Sequence, residues 1–311
     1  MSDFLISCWD FTSGRALPVT DGDTRLKANH WYHCQRDAHD LRGWLESHAL
    51  PEALINSLLA DDTRPRFEQY GPDGFLLILR GINLNEGAEP DDMLSLRMMW
   101  YKGALVSTRK VPSKAIASML QQLQAGKGPD SLPSLLVAIS SGISQLISNF
   151  LSPIDEQLNN IEVPNVDDLT SLNALHTRLL RLRRYLKPQK YAFEDLLDAG
   201  MPLIEAQRPH FKNCLDTITR INESVEFYLD QINHLLGHIA QEQAQVMNRN
   251  TYLFSVIACI FLPAGFFTGL LGVNIGGIPG VDNPFAFLLF SMGLVVIIAL
   301  EIVLLKRLKF I

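Results

Sequence analysis

The sequence predicts an α+β cytoplasmic domain, a long stalk helix and two membrane-spanning helices at the C-terminal end. Three observations lead there. Strand-like and helix-like patterns alternate only as far as about Lys127. A single helical rhythm then runs from Phe211 with no proline before Pro263. Two uncharged apolar segments, Thr251 to Leu271 and Phe285 to Leu300, close the chain on either side of a glycine-rich hairpin.

In chain order, "HWYHC" from His30 reads as a strand, and "DLRGWLESH" and "PEALINSLL" read as helices. "FEQYGPDGFLLILRGINL" is a hairpin pattern around Gly71-Pro72-Asp73-Gly74, and "LSLRMMWYKGALVSTRK" is another around Lys102-Gly103, because apolar runs flank turn residues in both. A helix over Ser113 to Leu123 completes a domain with a mainly antiparallel sheet, residues 1–127. Residues 128–208 carry two long helical patterns, divided at Pro164 and Asn165, with Pro188, Pro202 and Pro209 punctuating the connection that follows. The stalk occupies 209–250, the spans 251–272 and 285–305, the outer hairpin 273–284 and a basic tail 306–311.

A net charge of −6 does not fit a dedicated nucleic-acid binder, whose footprint is basic. Four cysteines, Cys8, Cys34, Cys214 and Cys259, have no repeated spacing, which predicts a reducing compartment with no disulfide frame or zinc ribbon. "MSDFLISCWDF" lacks a charged leader before an apolar run and predicts no signal peptide. No nucleophile–base set and no glycine-rich phosphate cradle is visible, so no catalysis is expected.

About 20 helical residues cross the roughly 30 Å of hydrocarbon, and the second span reaches that length only by including Glu301. Lys306, Arg307 and Lys309 follow it, whereas the hairpin has neither lysine nor arginine. The positive-inside rule therefore places both termini in the cytoplasm and the hairpin outside.

The long helix carries two stripes. One steps four and three from Phe211 through Leu215, Ile218, Asn222 and Val225 to Leu253, and ten of its thirteen members are apolar, the heptad signature of helix packing. The other is offset by two residues: Asp230, His234, Gly237, Gln241, Ala244, Asn248, Thr251, Ser255, Ala258, Leu262, Gly265 and Gly269, nearly all small or polar. Small residues let helices approach closely. Polar groups at membrane depth face protein or water. A stripe that continues from the stalk into the span favours a water-filled lumen shared by several copies of the chain, lined from Asn248 to Gly269, with the carbonyl freed by Pro263 met by lumen water.

At the end of the first span stands Gly272-Val273-Asn274. In this position it resembles the Gly-Met-Asn hallmark of the CorA family of divalent-cation transporters, and "GVNIGGIPG" followed by Pro284-Phe285-Ala286-Phe287 looks like that family's zinc-transporting ZntB branch. The resemblance implies a funnel-shaped homopentamer in the bacterial inner membrane, with first spans lining the pore and no cofactor beyond the transported ion. It implies Gly272, Val273 and Asn274 as the selectivity filter and zinc uptake coupled to protons as the activity. Amide and backbone oxygens suit a hydrated cation, and Asn274 equally suits a left-handed helix cap. Valine in place of methionine leaves a magnesium, cobalt or nickel channel as the alternative, since zinc prefers nitrogen and sulfur ligands that this filter lacks. A membrane-anchored regulatory or scaffolding protein is the alternative of another class.

Other groupings are weaker. Asp282 is either a cation-attracting ring at the pore mouth or a turn aspartate before Asn283-Pro284. Asp230, His234 and His238, spaced by four, are a candidate cytoplasmic metal or proton site, with a solvated helix face preferred. A site at His30, His33, Cys34 and His39, or at His210 and Cys214, is disfavoured, because a strand sends His30 and His33 to opposite faces. Asp167-Asp168 reads as a helix cap, and Arg178, Arg181, Arg183 and Arg184 as a solvated basic face or a contact for anionic headgroups.

Overall fold

The computed structural model describes residues 3–20, 25–161, 165–273, 278, 280 and 283–308. It divides into two compact units, Met1–Leu236 and Gly237–Ile311.

The first unit is built on a seven-stranded sheet of order β2-β1-β3-β7-β6-β5-β4. The strands are β1 Leu5–Asp10, β2 Leu17–Pro18, β3 His30–Gln35, β4 Arg66–Gln69, β5 Gly74–Gly81, β6 Leu94–Tyr101 and β7 Ala104–Arg109. Both expected hairpins are present. Tyr101 pairs with Ala104, so the β6–β7 loop is the two residues Lys102 and Gly103, at φ 48° and 81°. Positive φ at both positions is the twist a two-residue hairpin needs, and glycine takes it without steric cost. The pairing is antiparallel everywhere except between β3 and β7, where Trp31 lies beside Leu105 and Gln35 beside Arg109. That parallel pairing and the strands β1 and β2 are additions to the sequence reading.

Strand β5 is apolar from Phe75 to Leu79 because both of its faces are covered there. Leu76 and Ile78 enter a core with Leu41, Trp44, Leu45, Leu54 and Leu58 from helices α1 (Leu41–Ser47) and α2 (Glu52–Leu59). Leu77 and Leu79, also fully buried, alternate to the opposite face, and helices α4 (Leu132–Asn159) and α5 (Leu169–Asp198) lie against β5 as well. Helix α3, Lys114–Gln124, packs on α4.

Helix α4 is long and apolar enough to cross a membrane, yet 44% of its apolar window is buried inside the protein. Leu135, Leu136, Ile139, Ile143 and Ile147 repeat at three and four residues and form its buried stripe. Helix α5 runs past Pro188 to Asp198, which corrects the reading of Pro188 as part of a connection. Buried Gln189, Ala192, Phe193 and Leu196 carry the apolar face onward, and Gln189 Oε1 accepts a 2.7 Å bond from the backbone N–H of Arg80 in β5. Tertiary anchoring thereby outweighs the hydrogen bond lost at the proline. Pro202 and Pro209 do stand in first turns, of α6 (Pro202–Ala206) and of α7 (Arg208–Leu271).

In the part of α7 within the first unit, the heptad stripe is the buried face: Phe211, Ile218, Val225, Leu229 and Ile232 are at most 2% exposed. The second unit holds the rest of α7 and α8, Ala286–Arg307. Among its described residues only Ile239, Ala264 and Leu305 are buried.

Candidate functional site

Helix α7 continues as helix through Pro263 to Leu271. Its most apolar stretch has none of its residues buried, and that of α8 has 6%. Phe254, Phe261, Leu262 and Phe266 are each at least 64% exposed, as are Phe287 and Val295 of α8. A protein in water does not leave so continuous an apolar surface uncovered; lipid or further copies of the chain must meet it.

The small and polar stripe lies on the same helix. Asn248, Thr251, Ser255, Ala258, Leu262, Gly265 and Gly269 are all exposed in the single chain. Ser255 Oγ donates to the Thr251 carbonyl at 2.8 Å, and Thr268 Oγ1 donates to the Ala264 and Gly265 carbonyls at 3.0 Å. Each hydroxyl thus satisfies its donor locally while its oxygen lone pairs stay open, a face that tolerates low dielectric and can still accept from water or bind a cation's hydration shell.

Past the last helical turn come Gly272 and Val273, both exposed. A Cβ on Gly272 would lie 2.8 Å from the Thr268 carbonyl oxygen, a separation that real side chains do not adopt. Glycine is therefore required for the backbone to pass its own final turn at this point. Asn274 and Asp282 lie outside the described residues, as do Pro164 and Lys309.

Asp230, His234 and His238 are each exposed. Among the described residues no group of three His, Cys, Asp or Glu side chains could hold a metal ion. His33 is fully buried, with Nδ1 2.8 Å from Ser107 Oγ, and burial, reinforced by Arg109, pushes its pKa down to about 3. His30 Nδ1 instead meets the Ala28 carbonyl at 2.9 Å. Burial raises the pKa of Cys34 and of Cys214, the latter to about 11, so both are inert thiols in the core. Asp167 and Asp168 belong to a cap centred on Asn165, whose Oδ1 accepts from both backbone N–H groups while Asp168 Oδ2 accepts from Asn165 N–H. Of the four arginines on α5, three are tied to acids: Arg178 to Glu89 at 2.9 Å, Arg181 to buried Asp91 at 3.0 Å and Arg183 to Glu226 at 3.1 Å. The patch is therefore an ion-paired face between α5 and its neighbours.

Sequence reading passed over Arg80 and Arg97, charged residues inside strands β5 and β6. Their signal was available: an arginine in a run such as "FLLILRG" or "LSLRMMW" is out of place unless it has partners or a task.

Comparison with known proteins joins these features. Residues 27–307 match the family model described as CorA-like Mg2+ transporter protein. The chain belongs to that family. This CorA-like protein is 44% identical over 307 residues to the zinc transport protein ZntB of Vibrio parahaemolyticus, covering 99% of this chain and 97% of that one. The crystal structure of the cytoplasmic domain of ZntB from the same organism superposes with a TM-score of 0.74 at 41% identity, over 78% of this chain and 99% of that one. The structure of full-length CmaX superposes with a TM-score of 0.82 at 30% identity, covering 99% of both chains. The family is one of transporters, which agrees with the lack of any catalytic grouping expected from the sequence.

Proposed function

We propose that this CorA-like protein carries zinc across the bacterial inner membrane through a pore at the axis of a homopentamer. The observation that carries the reading is the stripe from Asn248 to Gly269: small or polar except at Leu262, and exposed on a helix whose other faces are apolar and largely uncovered. One pair of spans cannot enclose water, so several copies must surround the path. Likeness to the zinc transport protein ZntB over nearly the whole length supports zinc as the ion.

In this reading residues 1–127 and 128–208 form the cytoplasmic part, 209–250 the stalk, 251–272 and 285–305 the two spans, and 306–311 a cytoplasmic tail. The hairpin 273–284 faces outward, with Gly272, Val273 and Asn274 as filter and Asp282 as a ring of acids at the mouth. Asp230, His234 and His238 are exposed on the stalk, where a solvated helix face is the preferred reading and a proton or metal relay the alternative. A divalent cation moving inward gains about 4–5 kcal/mol at 100 mV inside-negative, twice the single-charge value, so entry requires no nucleotide hydrolysis.

The test is flux of zinc and magnesium into proteoliposomes, with a pH dye on the same vesicles. Asn274→Ala is expected to abolish zinc flux while the subunit count, read by mass in detergent, stays at five. Unchanged flux in that variant would overturn the filter assignment, and a monomer would overturn the pore. Magnesium carried in preference to zinc would move the protein to the magnesium side of its family.

A further inference from the structure

A second polar site lies in the first unit, away from the α7 stripe in sequence. Arg36 follows β3 and Lys110 follows β7; the parallel pairing of Gln35 with Arg109 brings both out at one end of the sheet. Arg80 of β5 joins them, and the three line a cavity of about 190 Å³ with Asn83 and Ser95. Behind it, fully buried Arg97 donates to the carbonyls of Leu58 and Asp61 at 2.6 and 3.2 Å.

The donors here outnumber their acceptors. Arg36 is 8% exposed, and its Nε and Nη1 have no hydrogen-bond partner. Arg80 is held by the carbonyls of Met93 and Thr63, both at 2.8 Å, with its Nε left over. Asn83 spends its oxygen on Asn85, at 2.8 Å from Nδ2, so its own amide N–H groups remain as donors. Ser95 Oγ accepts from Arg97 Nε at 3.4 Å and keeps its hydroxyl hydrogen. Three carboxylates stand around it, Asp61, Asp62 and Asp92, all exposed; Asp61 Oδ1 is taken by Lys110 Nζ at 2.5 Å, and Asp62 Oδ1 lies 3.7 Å from Arg80 Nη2. A buried guanidinium without an acceptor is among the costliest features a fold can keep. Burial lowers the pKa of Arg36 and Arg80, and that of Arg97 falls to about 9, from burial first and then from Arg36 and Arg80. The cluster repels itself, and an anion would relieve it.

We propose that this cavity binds a small oxyanion of the phosphate class. Several oxygens on one centre can accept from Arg36, Arg80, Asn83 and Ser95 together, and guanidinium matches such oxygens in pairs. The volume admits a phosphate group but no nucleoside, so the ligand is either free phosphate or the terminal phosphate of a larger molecule.

The test uses full-length protein in detergent, titrated calorimetrically and unfolded thermally with sodium phosphate, ATP without metal, or sodium chloride at matched ionic strength. Phosphate is expected to bind and, at a hundredfold excess over Kd, to raise Tm by about 5 °C or more. Arg36→Gln should weaken binding at least about tenfold, the loss of one charge-assisted contact, and Lys110→Gln should weaken it less. Arg15→Gln, an exposed site in the β1–β2 loop, should leave it unchanged. ATP binding more tightly than phosphate would identify a nucleotide as the source; equal or weaker binding would identify free phosphate. Stabilisation by chloride equal to that by phosphate would overturn the proposal, as would no binding or wild-type binding by Arg36→Gln. Should that variant fail to fold, Lys110→Gln, whose side chain is 43% exposed, decides in its place.

Discussion

Gly272→Ala is expected to cut metal flux about tenfold without preventing assembly. An added Cβ would sit 2.8 Å from the Thr268 carbonyl oxygen and 3.7 Å from that of Gly269. The nearer oxygen belongs to the last turn of α7, so it cannot swing aside as a side chain would. Reaching an ordinary 3.4 Å contact takes roughly 0.6 Å of backbone movement, and overpacking of this kind costs about 1–3 kcal/mol. The movement falls on the residues that precede Asn274, and in the proposed pentamer every copy would repeat it. If about 1.4 kcal/mol of the cost enters the barrier to permeation, flux falls tenfold. Zinc uptake into proteoliposomes measures it, with subunit count as the check on assembly. Gly293→Ala in α8, outside the stripe, is the control, since nothing lies within 4 Å of its added carbon. Flux within twofold of wild type for Gly272→Ala, with normal assembly, would refute the reasoning.

Further expectations concern the lumen and the cytoplasmic core. Single cysteines at Thr251 and Ser255 in a cysteine-free background should react with a water-soluble thiol reagent in membranes, whereas cysteines at Phe254 and Phe261 should not; equal labelling of all four would remove the lumen assignment. His33 is held neutral, its pKa falling from an ordinary 6.5 to about 3, so stability is fully present above pH 6.5 and declines as pH falls towards 3. Thermal unfolding between pH 6.5 and 4.5 should show a one-proton slope of about 1.4 kcal/mol per pH unit, and His33→Gln should flatten it. Asp91→Asn leaves Arg178 and Arg181 without their shared, 1% exposed carboxylate. A loss of about 1–3 kcal/mol is expected, read as a lower midpoint in denaturant; a change below about 0.5 kcal/mol would mean the pair is solvated in practice.

Features ruled by local chemistry were legible in the chain. "YKGA" demanded a two-residue turn, and the structure has one with both φ values positive. The step of four and three from Phe211 announced a buried face, and the structure buries it through Ile232. Pro188 misled because a missing N–H is a local cost, while the contacts that keep α5 helical, Gln189 with β5 above all, come from residues more than 100 positions away. The apolar character of α4 was equally ambiguous: composition alone fits a span, and only the sheet and helices packed on it show that nearly half of that stretch is interior.

The sequence by itself determined the two apolar helices, the stripe along the first of them and the glycine at its end, because length, periodicity and the absence of a Cβ are properties of neighbouring residues. Only the tertiary structure decided the parallel join of β3 to β7 and the meeting of Arg36, Arg80, Arg97 and Lys110. Those residues come from four separate segments, and nothing in any one of them records where the others will be. Their proximity is set by strand register across the sheet, which is fixed when the chain packs.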